Sequence, residues 1–192
     1  MLQIFGIISA ILYVLLYVPY IWDIFRLKTK PERASWLIWS ILAIIAFFTQ
    51  TAIGASASLW FSGTQVFLLG IVFLLSIKFG VGGLNKKDIL ALLFSILGLI
   101  IWYFTREAAF ALYITIFVDA IGVILTVQKA YLYPESETLL TWILGIISPC
   151  FAALAVGKLN LVLLSWPIYS ILLASAVVFA IYMGRRKVYG NN

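Results

Sequence analysis

Histidine is absent from this 192-residue chain, and cysteine occurs only once, as Cys150. Without histidine the sequence lacks the usual general base and the commonest metal ligand, which argues against a metalloprotease or an imidazole proton relay. A single cysteine inside an apolar run leaves no disulfide framework within the chain. Charge is scarce as well, with Asp, Glu, Lys and Arg together at 10%. No nucleophile–base pair, metal cluster or phosphate-cradling glycine loop is visible, and Gly80, Gly82 and Gly83 read as a flexible turn. The expectation is a protein that is not an enzyme and holds no cofactor or metal.

What is abundant is apolar surface. Hydrophobic residues make up 65% of the chain and the mean hydropathy is +1.14. A soluble domain sits nearer about 45–50% apolar and about 25% charged. A water-soluble fold could not hide this much apolar surface, so lipid is the expected solvent. In hydrocarbon every backbone N–H and C=O must be bonded internally, which leaves helices or closed barrels. A barrel would alternate apolar and polar residues along each strand. This chain has unbroken apolar runs instead, such as 89–104. The first run lacks a basic leader and a small-residue cleavage signature, so it reads as a retained helix and not a signal peptide.

A helix needs about 20 apolar residues to cross the bilayer core. Cutting the chain at charge and turn clusters gives seven segments, at roughly 2–25, 35–54, 57–79, 87–105, 107–128, 138–156 and 160–183. Orientation follows from the basic residues in short loops. Arg26, Lys28, Lys30, Arg33, Lys78, Lys86, Lys87, Lys129, Arg185, Arg186 and Lys187 collect on one side, 11 of the 13 basic residues. Only Arg106 and Lys158 fall on the other. The amino terminus is therefore expected outside and the carboxyl terminus in the cytoplasm. The net charge of +6 reads as this inside bias, and nucleic acid is not an expected partner.

Sliding the chain against itself by 103 residues places Pro31-Glu32 on Pro134-Glu135, Ser35 on Thr138, Trp39 on Trp142, Gly54 on Gly157 and Ser62 on Ser165. Each Pro-Glu pair suits the first turn of a helix, where proline loses nothing and an acid meets the positive dipole end. Segments one to three fall on segments five to seven, and the fourth has no counterpart. An odd insert lets both halves point the same way. The expected fold is thus an all-α membrane protein whose seven transmembrane helices form two three-helix bundles joined by a linker helix, a 3+1+3 parallel repeat. Its parts are 1–84 (first bundle), 85–106 (linker), 107–183 (second bundle) and 184–192 (basic tail). Repeats of this kind place a substrate site near the midplane, between bundles that rock against each other.

With this plan on the page, the sequence resembles the PQ-loop and SWEET superfamily of small-solute transporters. The motif likeness lies in Pro19 to Lys30, P-Y-I-W-D-I-F-R-L-K-T-K, followed by Ser35 opening the next segment. Tyr20 stands where the family has glutamine, and Gly122 and Val123 occupy the equivalent places in the second half. The motif is therefore carried by the first half alone. Asp119, three residues before Gly122, resembles the aspartate that proton-coupled members carry in the fifth helix. The nicotinamide riboside and thiamine importers share the same plan and are also rich in tryptophan, of which this chain has seven.

Asp119 is the sharpest candidate on chemistry alone. An ionised carboxylate at bilayer depth costs several kcal/mol, so such residues face a cavity or a partner. Low dielectric penalises the charged form, which makes Asp119 a candidate proton carrier and substrate ligand; the alternative is a structural Asp that locks two helices. Gln65, Ser62 and Ser165 are further substrate-binding candidates, with bridging between helices as the alternative. Trp39 and Trp142 could stack on a sugar or heterocycle, or belong to the interfacial belt with Trp22, Trp36, Trp60 and Trp102. Asp23 reads as a surface ion pair with Arg26. Pro19, Pro149 and Pro167 lie within helices and are candidate hinges or static kinks.

The functional expectation is a transporter of a small polar solute (a sugar, an amino acid or a vitamin-like compound) working by alternating access, with Asp119 coupling it to protons. A heptahelical receptor on the same fold is the alternative from another class. A retinal protein is disfavoured because the seventh segment has no lysine for a Schiff base. The expected partners are the lipid bilayer and a small-molecule substrate, with assembly into a homo-oligomer left open.

Overall fold

The computed structural model describes residues 1–27, 31, 33–80, 107–137 and 139–189, together with positions 86, 89, 93, 96, 97, 100 and 104. Six α-helices are bounded there: α1 (Leu2–Phe25), α2 (Arg33–Ala52), α3 (Leu59–Phe79), α4 (Ala108–Leu132), α5 (Leu139–Val156) and α6 (Leu161–Tyr189). A 3-10 turn, Pro134–Ser136, precedes α5, and no strand occurs among the described residues. Four helices are long and apolar enough to cross a membrane: α1, α3, α5 and Leu161–Val188 of α6. α2 and α4 carry shorter apolar stretches, Trp36–Ala52 and Ala108–Ala120. At 1.5 Å per residue, the 20 and 25 residues of α2 and α4 still reach about 30 Å and about 37 Å.

Local chemistry sets the helix ends. α2 stops where Gly54 takes φ +91°, and the Gly54 and Ala55 N–H groups bond back to the Thr51 and Gln50 carbonyls. That is the pattern in which a left-handed glycine satisfies the last carbonyls of a helix. Gly157, its mate at the 103-residue offset, follows α5 with φ +71°. α6 starts at Asn160, whose Oδ1 accepts the Val162 and Leu163 N–H groups at 3.1 and 3.0 Å. Pro134-Glu135 does not open α5. It forms the 3-10 turn, and the helix proper begins at Leu139.

The helices close a ring, α1 on α3, α3 on α2, α2 on α4, α4 on α6, α6 on α5 and α5 back on α1, with a smaller contact of α3 on α5 across it. Replacing α1, α2 and α3 by α4, α5 and α6 maps the six ring contacts onto themselves, while the α3–α5 contact has no equally extensive α6–α2 counterpart. Within each trio the third helix lies between the other two.

The two seams that join the trios are chemically unlike. Across the α1–α5 seam, Ser9 Oγ donates to the Ser148 carbonyl at 2.8 Å and Ser148 Oγ donates to the Ser9 carbonyl at 2.9 Å. The residues at the corresponding offset positions, Leu112 and Ile45, are buried and apolar. Each trio is also tied at one end by an arginine. Arg33 donates to the Ser76 and Gly80 carbonyls at the end of α3, at 3.1 and 2.9 Å. Arg185 of α6 pairs with Glu135 of the 3-10 turn at 3.1 Å.

The outer surface is apolar. Ile4, Ile11, Val18, Phe67, Leu74, Phe117, Leu172 and Phe179 are each at least 54% exposed. Ile89, Leu93, Ile96, Leu97, Ile100 and Phe104 are helical and exposed at spacings that put them on one face. Such a surface suits hydrocarbon and is compatible with an integral membrane protein.

Candidate functional site

Along α4, Ala108, Leu112, Thr115 and Asp119 are spaced four, three and four residues apart and share the inward stripe, with Ala108, Leu112 and Thr115 buried. Phe110, Tyr113, Phe117 and Ile124 form the exposed stripe on the opposite side. Asp119 is half-buried on the inward stripe. The same holds on α1. Tyr13, Tyr17 and Tyr20 follow i, i+4, i+7 on the buried face, and Tyr17 and Tyr20 keep partial exposure there.

Two hydrogen-bonded groups meet in this interior. In the first, Tyr169 of α6 donates its hydroxyl to Asp119 Oδ2 at 2.7 Å. In the second, the Trp166 indole N–H donates to Gln65 Oε1 at 2.7 Å, and Gln65 Nε2 reaches the Tyr13 hydroxyl at 3.4 Å. The Tyr13 and Tyr17 hydroxyls lie 3.4 Å apart. The Trp166 and Tyr169 rings lie 6.0 Å apart and tilted, which joins the two groups. Further along α1, Tyr17, Tyr20 and Trp39 surround Trp36, with centroids 6.1, 5.2 and 5.1 Å from it.

Asp119 and Gln65 are thus brought into one interior, lined with Tyr13, Tyr17, Trp166 and Tyr169. The tyrosine stripe on α1 was present in the sequence as a helical spacing. Trp166 and Tyr169 gave no comparable signal, since their partners Gln65 and Asp119 lie 101 and 50 positions away. The other candidates fare differently. Ser62 is fully buried, and its hydroxyl has no hydrogen-bond partner among the described residues. Ser165 turns back onto its own helix, donating to the Val162 carbonyl at 2.7 Å. Trp142 is held by Glu137 Oε2 at 3.0 Å, and Trp39 stacks edge-on against Trp36. Pro19 is exposed on the outer face of α1, whereas Pro149 and Pro167 are buried.

Two expectations are corrected. Trp36 is 8% exposed and belongs to the interior aromatic cluster, because it lies on the buried face of α2 against the α1 tyrosines. Trp22 and Trp60, 57% and 51% exposed, do sit on the outer surface, and Trp102 lies outside the described residues. Arg26 does not pair with Asp23. Its guanidinium lies over the Trp22 ring at 4.7 Å, and no Asp23–Arg26 ion pair occurs among the described residues.

A groove of about 650 Å³ is also present, lined by Gln3, Val14, Trp60, Thr64 and Phe67 among others. It opens between α1 and α3 on the outer face, where Val14, Trp60 and Phe67 are exposed, and it does not reach Asp119. Among the described residues no group of three or more His, Cys, Asp or Glu side chains is placed to hold a metal. Compared with known proteins, the chain matches no family model, no curated protein and no solved structure.

Proposed function

We propose that this chain is a membrane transporter of a small polar solute, built as seven transmembrane helices in a 3+1+3 parallel repeat and working by alternating access. The observation that carries the reading is Asp119 on the inward stripe of α4, inside a ring whose two trios have equivalent contacts. A carboxylate at this depth costs about 2.5–3.5 kcal/mol on insertion scales, and it is retained where it binds something. The Arg33 tie joins α2 to α3 and the Arg185 tie joins α6 to the turn before α5; in this reading the trios rock against each other at the two unlike seams. Residues 85–106, most of which lie outside the described residues, are taken as the linker between the trios. The resemblance to the PQ-loop and SWEET plan points the same way, with Asp119 as the proton-coupling group and Gln65 beside it.

A receptor on the same plan would bind a ligand and move none, so flux decides between the two. The protein in liposomes should accumulate a labelled solute from a panel of sugars, amino acids and organic amines, with a rate that depends on pH. In Asp119→Asn that pH dependence should vanish; if it persists unchanged, Asp119 does not couple protons. The loop charges support a cytoplasmic carboxyl terminus. In a Cys150→Ser background, a cysteine placed at position 192 should react with an impermeant maleimide only after cells are opened. Labelling of intact cells would reverse the orientation.

A further inference from the structure

We propose that Asp119 binds a proton and a small monovalent organic cation in turn, so that the transporter exchanges one for the other. This rests on the transport reading above and names the substrate class of the same site. The argument begins with missing countercharge. Among the described residues the one hydrogen bond to the Asp119 carboxylate comes from Tyr169, a neutral donor. The group bonded to it is Tyr169 from α6, and Tyr13 and Tyr17 from α1 join the same interior through Gln65 and Trp166. A phenol is protonated at neutral pH, and α2 contributes no titratable group there among the described residues. Arg33, at the start of α2, is bonded to the end of α3. Arg185 lies sixteen residues beyond Tyr169, about 24 Å along α6. Among the described residues no fixed countercharge lies beside Asp119, so a proton or a cation that arrives would neutralise it.

The walls select which particle. Tyr13, Tyr17, Trp166 and Tyr169 present aromatic rings, whose faces attract cations and repel anions. A polyol would need many free hydrogen-bonding groups, and among the described residues the buried side-chain atoms without a partner are three: Gln50 Nε2 and the Ser58 and Ser62 hydroxyls. Ser40, Thr115 and Ser170 donate to the carbonyls of Trp36, Ala111 and Trp166 in their own helices. The Gln65 carbonyl oxygen and the Trp166 N–H are engaged with each other. A carboxylate with aromatic walls and few open donors fits an amine or quaternary ammonium ion better than a sugar or an acid. The exchange balances in charge. The carboxyl O–H gives its proton to water as the cation arrives, and the cation leaves as a proton returns from the other side.

Choline is a suitable probe, with its uncharged isostere 3,3-dimethyl-1-butanol and glucose as controls. The full chain in detergent, in weak buffer with a pH indicator, should release protons when choline binds. Choline affinity should fall about tenfold per pH unit on the acid side, as reciprocal linkage requires. The isostere should release none, Asp119→Asn should lose the response, and Asp119→Glu should keep it, which separates a lost carboxylate from a lost fold. In liposomes with a trapped pH dye, external choline should raise the luminal pH. A fall in luminal pH would mean co-transport and overturn the exchange while leaving transport intact. Glucose flux without choline binding would overturn the cation assignment alone. If no solute crosses, the transport reading falls, and proton release in detergent still decides whether Asp119 is a cation site.

Discussion

The Trp166–Gln65 hydrogen bond is the contact whose loss can be given a size. Trp166 is 5% exposed and Gln65 is 7% exposed, so neither finds water when its partner is removed. In Gln65→Leu the bond itself contributes about 0.6 kcal/mol on average between membrane helices. The indole N–H left without an acceptor adds about 1–3 kcal/mol. A total near 2 kcal/mol, at about 2–4 °C per kcal/mol for a chain of this length, lowers Tm by about 4–8 °C. Trp166→Phe leaves Gln65 Oε1 without its donor and costs a similar amount plus lost packing. In the double variant both polar groups are gone, so its loss should fall short of the sum of the two by about 1 kcal/mol or more. Thermal unfolding in detergent can be followed with a thiol-reactive dye that reads Cys150, the single cysteine, as it opens to solvent. Additivity within about 0.5 kcal/mol would show that the two side chains are not coupled and would refute the bond as an energetic link between the halves.

Two further outcomes follow from local geometry. Gly54→Ala should destabilise by about 1–2 kcal/mol, since φ is +91° and a Cβ is penalised there even with open space around it. Gly70→Ala, inside α3 with nothing within 4 Å of the added carbon, should stabilise by up to about 1 kcal/mol, and equal signs for the pair would contradict this assignment. Ser9→Ala and Ser148→Ala each remove one cross-seam hydrogen bond of about 0.6 kcal/mol. Each should lower Tm by a degree or two on the size scaling above, and a loss beyond 5 °C would assign these serines a larger role than the seam gives them.

The sequence was most informative where its features are punctuation. Gly54 and Gly157, matched at the 103-residue offset, both fall at helix ends, where glycine takes a positive φ without strain. Long apolar runs announced helices for the same elementary reason, that a backbone in lipid must bond to itself. Direction was harder to read. In a soluble helix the apolar stripe identifies the buried face, but here lipid and protein interior are equally apolar, so Trp36 on the inner face and Trp22 on the outer look alike in sequence. Asp119 stood out because a lone acid in such a run is expensive. Its partner Tyr169 did not, because a tyrosine among so many aromatics carries no mark of its own. Ser9 and Ser148 were silent for a related reason: two ordinary hydroxyls become a matched pair only when helices 139 positions apart are laid side by side.

The unlike seams also say something about ancestry. If the two trios descend from one duplicated half, an ancestor made of two identical halves would have faced Ser9 with the residue equivalent to Ile45, and its two seams would have been the same. The present chain has a hydroxyl pair at one seam and bulky aliphatic residues at the matching positions of the other. On that descent each half would have become a key cut for the other and no longer for itself. Mixed with a copy of its own kind, either half would set a serine against an isoleucine or a leucine. The single continuous chain is what guarantees the correct mate.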